Sequence, residues 1–262
     1  MPEDDRARED RELMSIAVYL EPGISGTAPK WSQAFAVGCG GELMCTRSFD
    51  RGRPFAFWGQ PRLWREFLTA RQAVADWFYG DHAFFGRGRY YRCARGAFQF
   101  AGDVGDDDPV RFRQFEIPVR DWRTSGSHIL LCPNSEAFFG LHGFAPGQWL
   151  AETTAAIRRH SDRPIRVRWK VDAPKRPLAE DLKDCWAVVT FMSNAAVMAI
   201  LGGIPAICTA ACAGRTMGSG DLGGIERPAM PEGRERWAAR LANHQWTLDE
   251  MRRGALWNAI GG

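Results

Sequence analysis

The longest uncharged run of the chain extends from Cys185 to Gly214 and contains the segment "VVTFMSNAAVMAILGGIP" at 188–205. A membrane-spanning helix needs roughly 20 mostly apolar residues in one piece. Here the polar pair Ser193 and Asn194 interrupts the run, and two glycines and a proline end the helix that follows. The pattern instead predicts a buried strand in "WAVVTF", a helix in "SNAAVMAIL" and a second strand in "GGIPAICT". Strand, helix and strand in this order form a βαβ unit of a parallel sheet.

Similar patterns of short apolar runs predict one α/β unit over 13–124. Strands are predicted in "SIAVYL", "ELMCT" and "PFAFWG", with a late strand in "FRQFEIPV". Helices are predicted in "WSQAFAVGCGG", which ends in a glycine stop, and in "LWREFLTARQAVA".

The remainder of the chain, 125–262, repeats this style. It has predicted strands in "HILLCP" and "IRVRWK", a loop in "NSEAFFGLHGF", and helices in "APGQWLAETTAAIRRH" and "PLAEDLKDC". Two helices close the chain, "GRERWAARLANHQW" and "TLDEMRRGALWNAI", the second with Thr247 and Glu250 as a capping box. The expected architecture is α/β, with two consecutive Rossmann-like domains joined by a linker near 120–127.

Composition narrows the class of protein. The chain has 262 residues, of which 25% are charged and 45% hydrophobic, as is typical of a soluble globular protein. Seven cysteines without a CxxC pair, together with a charged N-terminus that lacks the pattern of a signal peptide, predict reduced thiols in the cytoplasm. Residues 1–12 are rich in acidic side chains and are predicted to form a disordered tail. The formal charge of +3 is too small to indicate a nucleic-acid binder by itself.

The C-terminal pattern resembles that of a known family. Strand, "SNAAVMAILGGIP" and strand, preceded by "PIRVRWK" and "ILLCPNSEAF", resemble the half of GT-B glycosyltransferases that binds the nucleotide-sugar donor. The segment "WFYGDHAFFGRGRYYR" is similar to one in phage-encoded proteins associated with this fold, some of which are DNA glucosyltransferases acting on hydroxymethylated pyrimidines. The resemblance implies a donor site in the C-terminal half and an acceptor site in the N-terminal half. It also implies a last helix that crosses back to the first domain, with Leu256 and Trp257 as anchors.

The same resemblance implies transfer of a sugar from a nucleotide sugar, most simply a UDP-sugar, without a bound metal or other cofactor. The implied acceptor is a 5-hydroxymethylated pyrimidine in double-stranded phage DNA. Two other readings stay open: a surface-polysaccharide glycosyltransferase or nucleotide-sugar epimerase, and a non-catalytic nucleotide- or DNA-binding module.

A general base is needed to take the proton of the acceptor hydroxyl. Asp81, in "FYGDHAF", follows an aromatic run and is expected at a strand end, where aromatic neighbours would raise its pKa. His82 is the rival because its ordinary pKa lies near neutrality. The alternative for Asp81 is a turn residue after Gly80, and the alternative for His82 is a hydrogen-bonded structural histidine.

The departing diphosphate needs positive charge or N–H groups. Alternation along "RVRWK" places Arg168 and Lys170 on one face of a strand, and Ser193 and Asn194 begin a helix. The alternatives are a surface edge strand and simple helix capping. Ser135 and Glu136, after the strand "ILLCP", are expected in the second loop of the donor site.

Ribose recognition departs from the family pattern. Many GT-B enzymes place a glutamate in the helix after the serine, and the matching position in this chain is Met198. Asp221, Glu226 and Glu136 are the candidate replacements.

The segment "GRGRYYRCAR" alternates cations with aromatic residues, as a DNA-binding surface does. Four of its arginines are predicted to contact phosphates and two tyrosines to stack on bases: Arg87, Arg89, Arg92, Arg95, Tyr90 and Tyr91. A strand with a solvated cationic face is the alternative.

Overall fold

The computed structural model describes residues 15–59, 64–74, 76–170 and 176–261, so the predicted tail at 1–12 lies outside the described residues. The chain divides into two compact units. The first unit contains residues 1–100 and 244–262, and the second contains residues 101–243. These limits differ from the predicted 13–124 and 125–262, because 101–124 group with the second unit and 244–262 with the first. No helix within the described ranges is long and apolar enough to cross a membrane.

The first unit is built on a mixed sheet with the order β10-β5-β4-β3-β1-β2. Its strands are β1 (Ala17–Leu20), β2 (Glu42–Cys45), β3 (Phe55–Trp58), β4 (Trp77–His82), β5 (Tyr90–Arg95) and β10 (Trp246–Thr247). Strands β2, β1, β3 and β4 run parallel, while β5 pairs antiparallel with both β4 and β10. The parallel strands at "SIAVYL", "ELMCT" and "PFAFWG" therefore match the sequence prediction.

The inner strands β1, β3 and β4 are buried on both faces of the sheet, which explains why they read as continuous apolar runs, whereas the edge strand β2 is largely exposed. On one face, Val18, Ala56 and Phe78 pack against the helix α1 (Thr27–Cys39). On the other face, Tyr19, Phe55 and Phe57 are among the residues that pack with Phe67 of the helix α2 (Trp64–Ala73).

The C-terminal segment returns to the first unit, as predicted. The single helix predicted in "TLDEMRRGALWNAI" is two helices, α10 (Leu248–Arg252) and α11 (Ala255–Ile260). Thr247 and Glu250 form the predicted capping box at the start of α10. Leu256 lies in the core, and the Trp257 ring contacts Phe78 with a centroid distance of 5.5 Å.

The second unit is built on a parallel sheet with the order β7-β6-β8-β9. Its strands are β6 (His128–Cys132), β7 (Ile165–Val167), β8 (Cys185–Thr190) and β9 (Ala206–Cys208). Its helices, in chain order, are α3 (Val110–Arg113), α4 (Glu136–Leu141), α5 (Gln148–Arg158), α6 (Leu178–Asp181), α7 (Ala195–Leu201), α8 (Ala213–Thr216) and α9 (Arg234–Asn243). A 3₁₀ turn spans Leu222–Gly224.

The uncharged run Cys185–Gly214 folds as predicted into β8, α7 and β9. All six residues of β8 are buried, and so are five of the seven residues of α7. The run is therefore the core of the second unit.

Two local predictions are wrong. The strand predicted in "FRQFEIPV" is absent, because Val110–Arg113 form the short helix α3 and 115–119 are irregular. The loop predicted in "NSEAFFGLHGF" contains α4, whose first turn is capped by the side chain of Ser135. In both places a short helix is held by tertiary packing of its aromatic residues, including the buried Phe112 and Phe139.

Candidate functional site

The second sheet has a topological switch point between β6 and β8. In the order β7-β6-β8-β9, the chain continues from β6 to β7 on one side of the sheet and from β8 to β9 on the other. The chain therefore leaves the ends of β6 and β8 in opposite directions. Ligands of open α/β sheets bind at such a point, beyond the carboxyl ends of the strands. The two strands end at the paired residues Cys132 and Thr190.

Hydrogen bonds join the two loops that leave this point. The buried hydroxyl of Thr190 donates to the carbonyl of Cys132 at 2.6 Å and accepts from the backbone N–H of Ser193 at 3.1 Å. The side-chain oxygen of Asn134 accepts from the N–H of Met192 at 3.2 Å. The loops 133–135 and 191–195, which we call the switch-point loops, are thus held in one arrangement.

The structure brings the predicted residues Ser135, Glu136, Ser193 and Asn194 to the switch-point loops and the helix starts that follow them. The Ser135 hydroxyl accepts from the N–H of Phe138 at 3.3 Å, and the Ser193 hydroxyl accepts from the N–H of Ala195 at 3.3 Å. Asn194 occupies the N-cap position of α7. The Ser135 hydroxyl therefore caps α4, whereas the predicted capping of α7 is met only by the position of Asn194, because the Asn194 side chain makes no capping hydrogen bond to that helix. The contacts also hold both serines at the edge where a ligand would bind.

An aromatic cluster packs against the switch-point loops. The Phe191 ring contacts the rings of Phe139, His142 and Trp149, with centroid distances of 5.5, 4.8 and 6.3 Å. The Trp149 indole also donates to the hydroxyl of Thr209 at 2.9 Å, just after β9. The loop after β8 is therefore anchored to packed aromatic side chains. The cluster was not predicted from the sequence, because its members lie far apart in the chain.

Asn134 and Thr190 are also site residues that sequence reasoning missed. Asn134 directly follows the predicted strand and proline of "ILLCP", and Thr190 is the one polar side chain in "WAVVTF". Those two signals, a polar residue at each predicted strand end, could have identified them.

The assignment of Arg168 to the diphosphate is corrected by its contacts. Its guanidinium forms an ion pair with Asp181, and only 10% and 6% of the two side chains are exposed. Arg168 also donates to the carbonyl of Arg176 at 2.8 Å. A cation with these partners neutralises a buried carboxylate and is not available to a ligand. Lys170, by contrast, is exposed beyond the end of β7.

Of the three ribose candidates, Glu226 is placed at the wrong edge of the sheet. Its carboxylate accepts from the Ser161 hydroxyl and from the Arg163 guanidinium at 3.1 Å. Arg163 in turn donates to the carbonyl of Gly126, which precedes β6. Glu226 therefore fastens loops at the amino edge of the sheet, opposite the switch-point loops.

The other two acidic candidates have local partners. Asp221 caps the 3₁₀ turn by accepting from the N–H of Gly223 at 2.8 Å. Glu136 accepts from the N–H of Gly147 at 3.1 Å and begins α4 directly after a switch-point loop. Glu136 is therefore the ribose candidate that the geometry favours.

In the first unit, Asp81 and His82 end strand β4, as predicted. Asp81 accepts from the Arg92 guanidinium at 2.9 Å, and the two side chains are 33% and 7% exposed, respectively. Its other oxygen accepts from the N–H of His82 at 2.7 Å. Besides the aromatic neighbours expected from the sequence, a buried cation lies against one side of the Asp81 carboxylate.

His82 lies against an aromatic side chain of the neighbouring strand. Its ring and that of Trp58 are 5.1 Å apart and nearly perpendicular. Since β3 and β4 are parallel and end together, Trp58, Asp81 and His82 line one carboxyl edge.

The predicted DNA surface is only partly exposed. Tyr90 and Tyr91 are each 6% exposed, so their rings are not available for stacking on bases. Arg92 is buried against Asp81, and Arg95 pairs with Asp76 at 2.7 Å. Of the six residues, only Arg87 and Arg89 remain as exposed cations whose guanidinium groups have no carboxylate partner among the described residues.

Comparisons with known proteins give a fold but no close relative. No protein-family model matches the chain, and no curated protein sequence matches it. Two solved structures that match are those of Thermosulfurimonas dismutans KpsC described as its beta Kdo 2,7 transferase and its beta Kdo 2,4 transferase.

The first of these is 13% identical with a TM-score of 0.54, and the match covers 92% of this chain and 98% of that one. The second is 12% identical with a TM-score of 0.49, and it covers 89% and 92%. Taken with the two α/β units and the returning C-terminal helices, the likeness to the beta Kdo 2,7 transferase shows that the chain has a GT-B-like α/β fold.

Proposed function

We propose that this protein is a glycosyltransferase that moves a sugar from a nucleotide sugar to an acceptor hydroxyl. The observation that carries the proposal is the pair of switch-point loops, which hydrogen bonds from Thr190 and Asn134 hold together at the carboxyl edge of a parallel sheet. Ligands of open α/β sheets bind at such a switch point, and we assign this one to the donor. The proposed donor is a UDP-sugar.

The proposed donor contacts come from residues at the switch point. Ser135, Ser193 and Asn194 lie in the switch-point loops, and the exposed Lys170 supplies positive charge from the end of β7. Glu136 is proposed to receive the ribose hydroxyls. Positive charge and oriented N–H groups stabilise a departing diphosphate most where water is excluded.

The acceptor side of the reaction is proposed to lie at the carboxyl edge of the first sheet. Asp81 takes the proton of the acceptor hydroxyl while the hydroxyl oxygen forms a bond to the anomeric carbon of the sugar. The bond from that carbon to the diphosphate breaks, and the nucleotide leaves with the electron pair. Arg92 acts as a positioning residue, since its ion pair at 2.9 Å fixes the direction of the carboxylate.

DNA with hydroxymethylated pyrimidines is the acceptor predicted from the sequence. Of the six residues predicted to contact DNA, only Arg87 and Arg89 still support this acceptor. We retain it as one arm of the test. A nucleotide-sugar epimerase would act on the donor without an acceptor, and a non-catalytic module would not turn over, so nucleotide release that depends on an acceptor separates both from the transferase.

The test is a transfer assay on the whole chain. Purified protein is incubated with a panel of nucleotide sugars, with and without DNA containing 5-hydroxymethylcytosine or 5-hydroxymethyluracil, and released nucleotide is measured. We expect release to depend on an acceptor and to fall at least 100-fold in Asp81→Asn, because removing a general base typically costs 10²–10⁴-fold.

The chain offers a matched control for this variant. Asp76 also pairs with an arginine of β5, Arg95, but it precedes β4 and lies at the amino edge of the same sheet. Asp76→Asn is expected to keep full turnover. Equal activity in both variants would remove Asp81 from the reaction, and no release with any donor would contradict the transferase proposal.

A further inference from the structure

The loop between β4 and β5 carries two cations at the acceptor edge. We call residues 86–89, "GRGR", the arginine loop; all four residues are exposed. It follows the carboxyl end of β4, so it lies at the same edge of the sheet as Asp81 and His82. The next two arginines of the chain, Arg92 and Arg95, are neutralised by aspartates, whereas within the described ranges Arg87 and Arg89 form no ion pair.

The backbone of the arginine loop is held in one conformation. Gly86 and Gly88 adopt φ values of 64° and 92°, which favour glycine over other residues. The N–H groups of Arg89 and Tyr90 both donate to the carbonyl of Gly86 at 3.1 Å. The loop is therefore a tight turn whose backbone does not have to be ordered on binding.

The side chain of Gln245 fixes Phe85, the residue directly before the arginine loop. Its oxygen accepts from the N–H of Phe85 at 3.1 Å, and its nitrogen donates to the carbonyl of the same residue at 3.0 Å. Because both backbone groups of Phe85 are bonded to Gln245, Phe85 is fixed relative to β10, which begins at Trp246, the residue after Gln245.

Tyr91 connects the arginine loop to the proposed catalytic edge. Its hydroxyl donates to the carbonyl of Gly88 at 2.9 Å, and its ring lies 5.7 Å from that of Trp58. Tyr91 is also the cross-strand partner of His82. One buried side chain thus fixes the position of the loop relative to Trp58 and His82.

We infer that the arginine loop binds a negatively charged group, a phosphate or a carboxylate, that the acceptor carries near its reactive hydroxyl. The inference rests on the proposed function, and it specifies the class of acceptor: a compact anionic sugar or sugar phosphate. Arginine suits this task because its planar guanidinium binds both groups through paired hydrogen bonds.

The same observations favour a compact acceptor over a DNA duplex. A protein that binds duplex DNA typically neutralises about 6–10 phosphates. The arginine loop offers two cations, and the tyrosines beside it are buried. A single anionic group, by contrast, is matched by two arginines.

The inference is tested by isothermal titration of the whole chain at low salt with glucose 6-phosphate, glucuronate and glucose. We expect the two anionic probes to bind and the neutral one not to. The double variant Arg87→Ala/Arg89→Ala is expected to weaken binding of the anionic probes at least 10-fold, while its thermal unfolding stays unchanged, because both side chains are exposed. Arg51→Ala is the matched control, since Arg51 is another exposed arginine of the first unit, before β3 at the opposite edge.

Three results would overturn the inference: no binding of either anionic probe, equal binding in the double variant, or arginine-dependent binding of a hydroxymethylated duplex without binding of the small anions. The titration needs neither donor nor turnover. A chain that binds glucose 6-phosphate through the arginine loop but releases no nucleotide from any donor would therefore contradict the proposed function alone.

Discussion

At the scale of single residues, the hydroxyl of Thr190 makes the contacts that join the switch-point loops. It bonds the carbonyl that ends β6 and the N–H that begins the loop after β8. We expect Thr190→Val to lower the free energy of unfolding by about 1–3 kcal/mol, because two buried polar groups lose their partner. The KM for the nucleotide sugar is expected to rise more than kcat falls.

Urea unfolding and donor kinetics would measure both effects. Thr153→Val, an isosteric change at a buried threonine of α5, is the control and should leave the donor KM unchanged. Equal donor kinetics in the two variants would show that the switch-point loops do not bind the donor.

His244 is a second residue whose environment has a measurable consequence. Burial lowers the pKa of His244 to about 4, against the opposing effect of its hydrogen bond to the carbonyl of Cys93 at 3.1 Å. Its ring also stacks on Phe100 at 3.7 Å. Because the unfolded chain binds this proton more readily, stability is unaffected above pH 6.5 and falls as the pH drops from 6.5 towards 4.

The wild type is accordingly expected to lose about 2–3 kcal/mol more stability between pH 7 and pH 4.5 than His244→Gln, which has no group to protonate there. Urea midpoints at the two pH values would measure the difference. Parallel losses in both proteins would show that His244 is not buried in its neutral form.

At the scale of elements, strand β4 depends on the absence of a side chain at Gly80. A Cβ at this position would lie 2.4 Å from two ring atoms of Trp31, which is fully buried. Gly80→Ala is expected to destabilise the protein by about 1–3 kcal/mol through overpacking, and to lower kcat, because Asp81 is the next residue. Thermal unfolding and turnover would measure the two effects, with the exposed Gly52→Ala as the control.

Helix boundaries show where local pattern was sufficient and where it was not. The capping box of Thr247 and Glu250 was visible because its partners are three residues apart. The break between α10 and α11 was not predicted, although Gly254 has φ 82° there, because "TLDEMRRGALWNAI" keeps a helical apolar spacing through the glycine. The break directs Leu256 and Trp257 into the core of the first unit.

At the scale of the whole molecule, the end of the chain completes the unit in which the chain begins. Strand β10 closes one edge of the first sheet, and α10 and α11 pack on α1. Leu256 is 1% exposed in this core. We expect Leu256→Ala to cost about 2–5 kcal/mol, as buried leucines typically do, and the exposed Asn258→Ala of the same helix to stay within about 0.5 kcal/mol.

Urea unfolding of the two variants would check this expectation. A similar small loss in both would mean that α11 does not complete the core, and the assignment of 244–262 to the first unit would then fail.

The α/β class, most strands, the β8–α7–β9 core and the strand ends where polar residues gather could all be predicted from the order of residues along the chain. These features depend on apolar periodicity and on neighbours a few residues apart, which the linear chain records directly. Which charged side chains have partners became clear only from the folded structure. Arg168 and Arg92 looked like free cations, but Asp181 and Asp81 neutralise them, and Glu226 proved to be at the amino edge. Ion pairs form between residues that folding brings together, and nothing in their spacing along the chain records them.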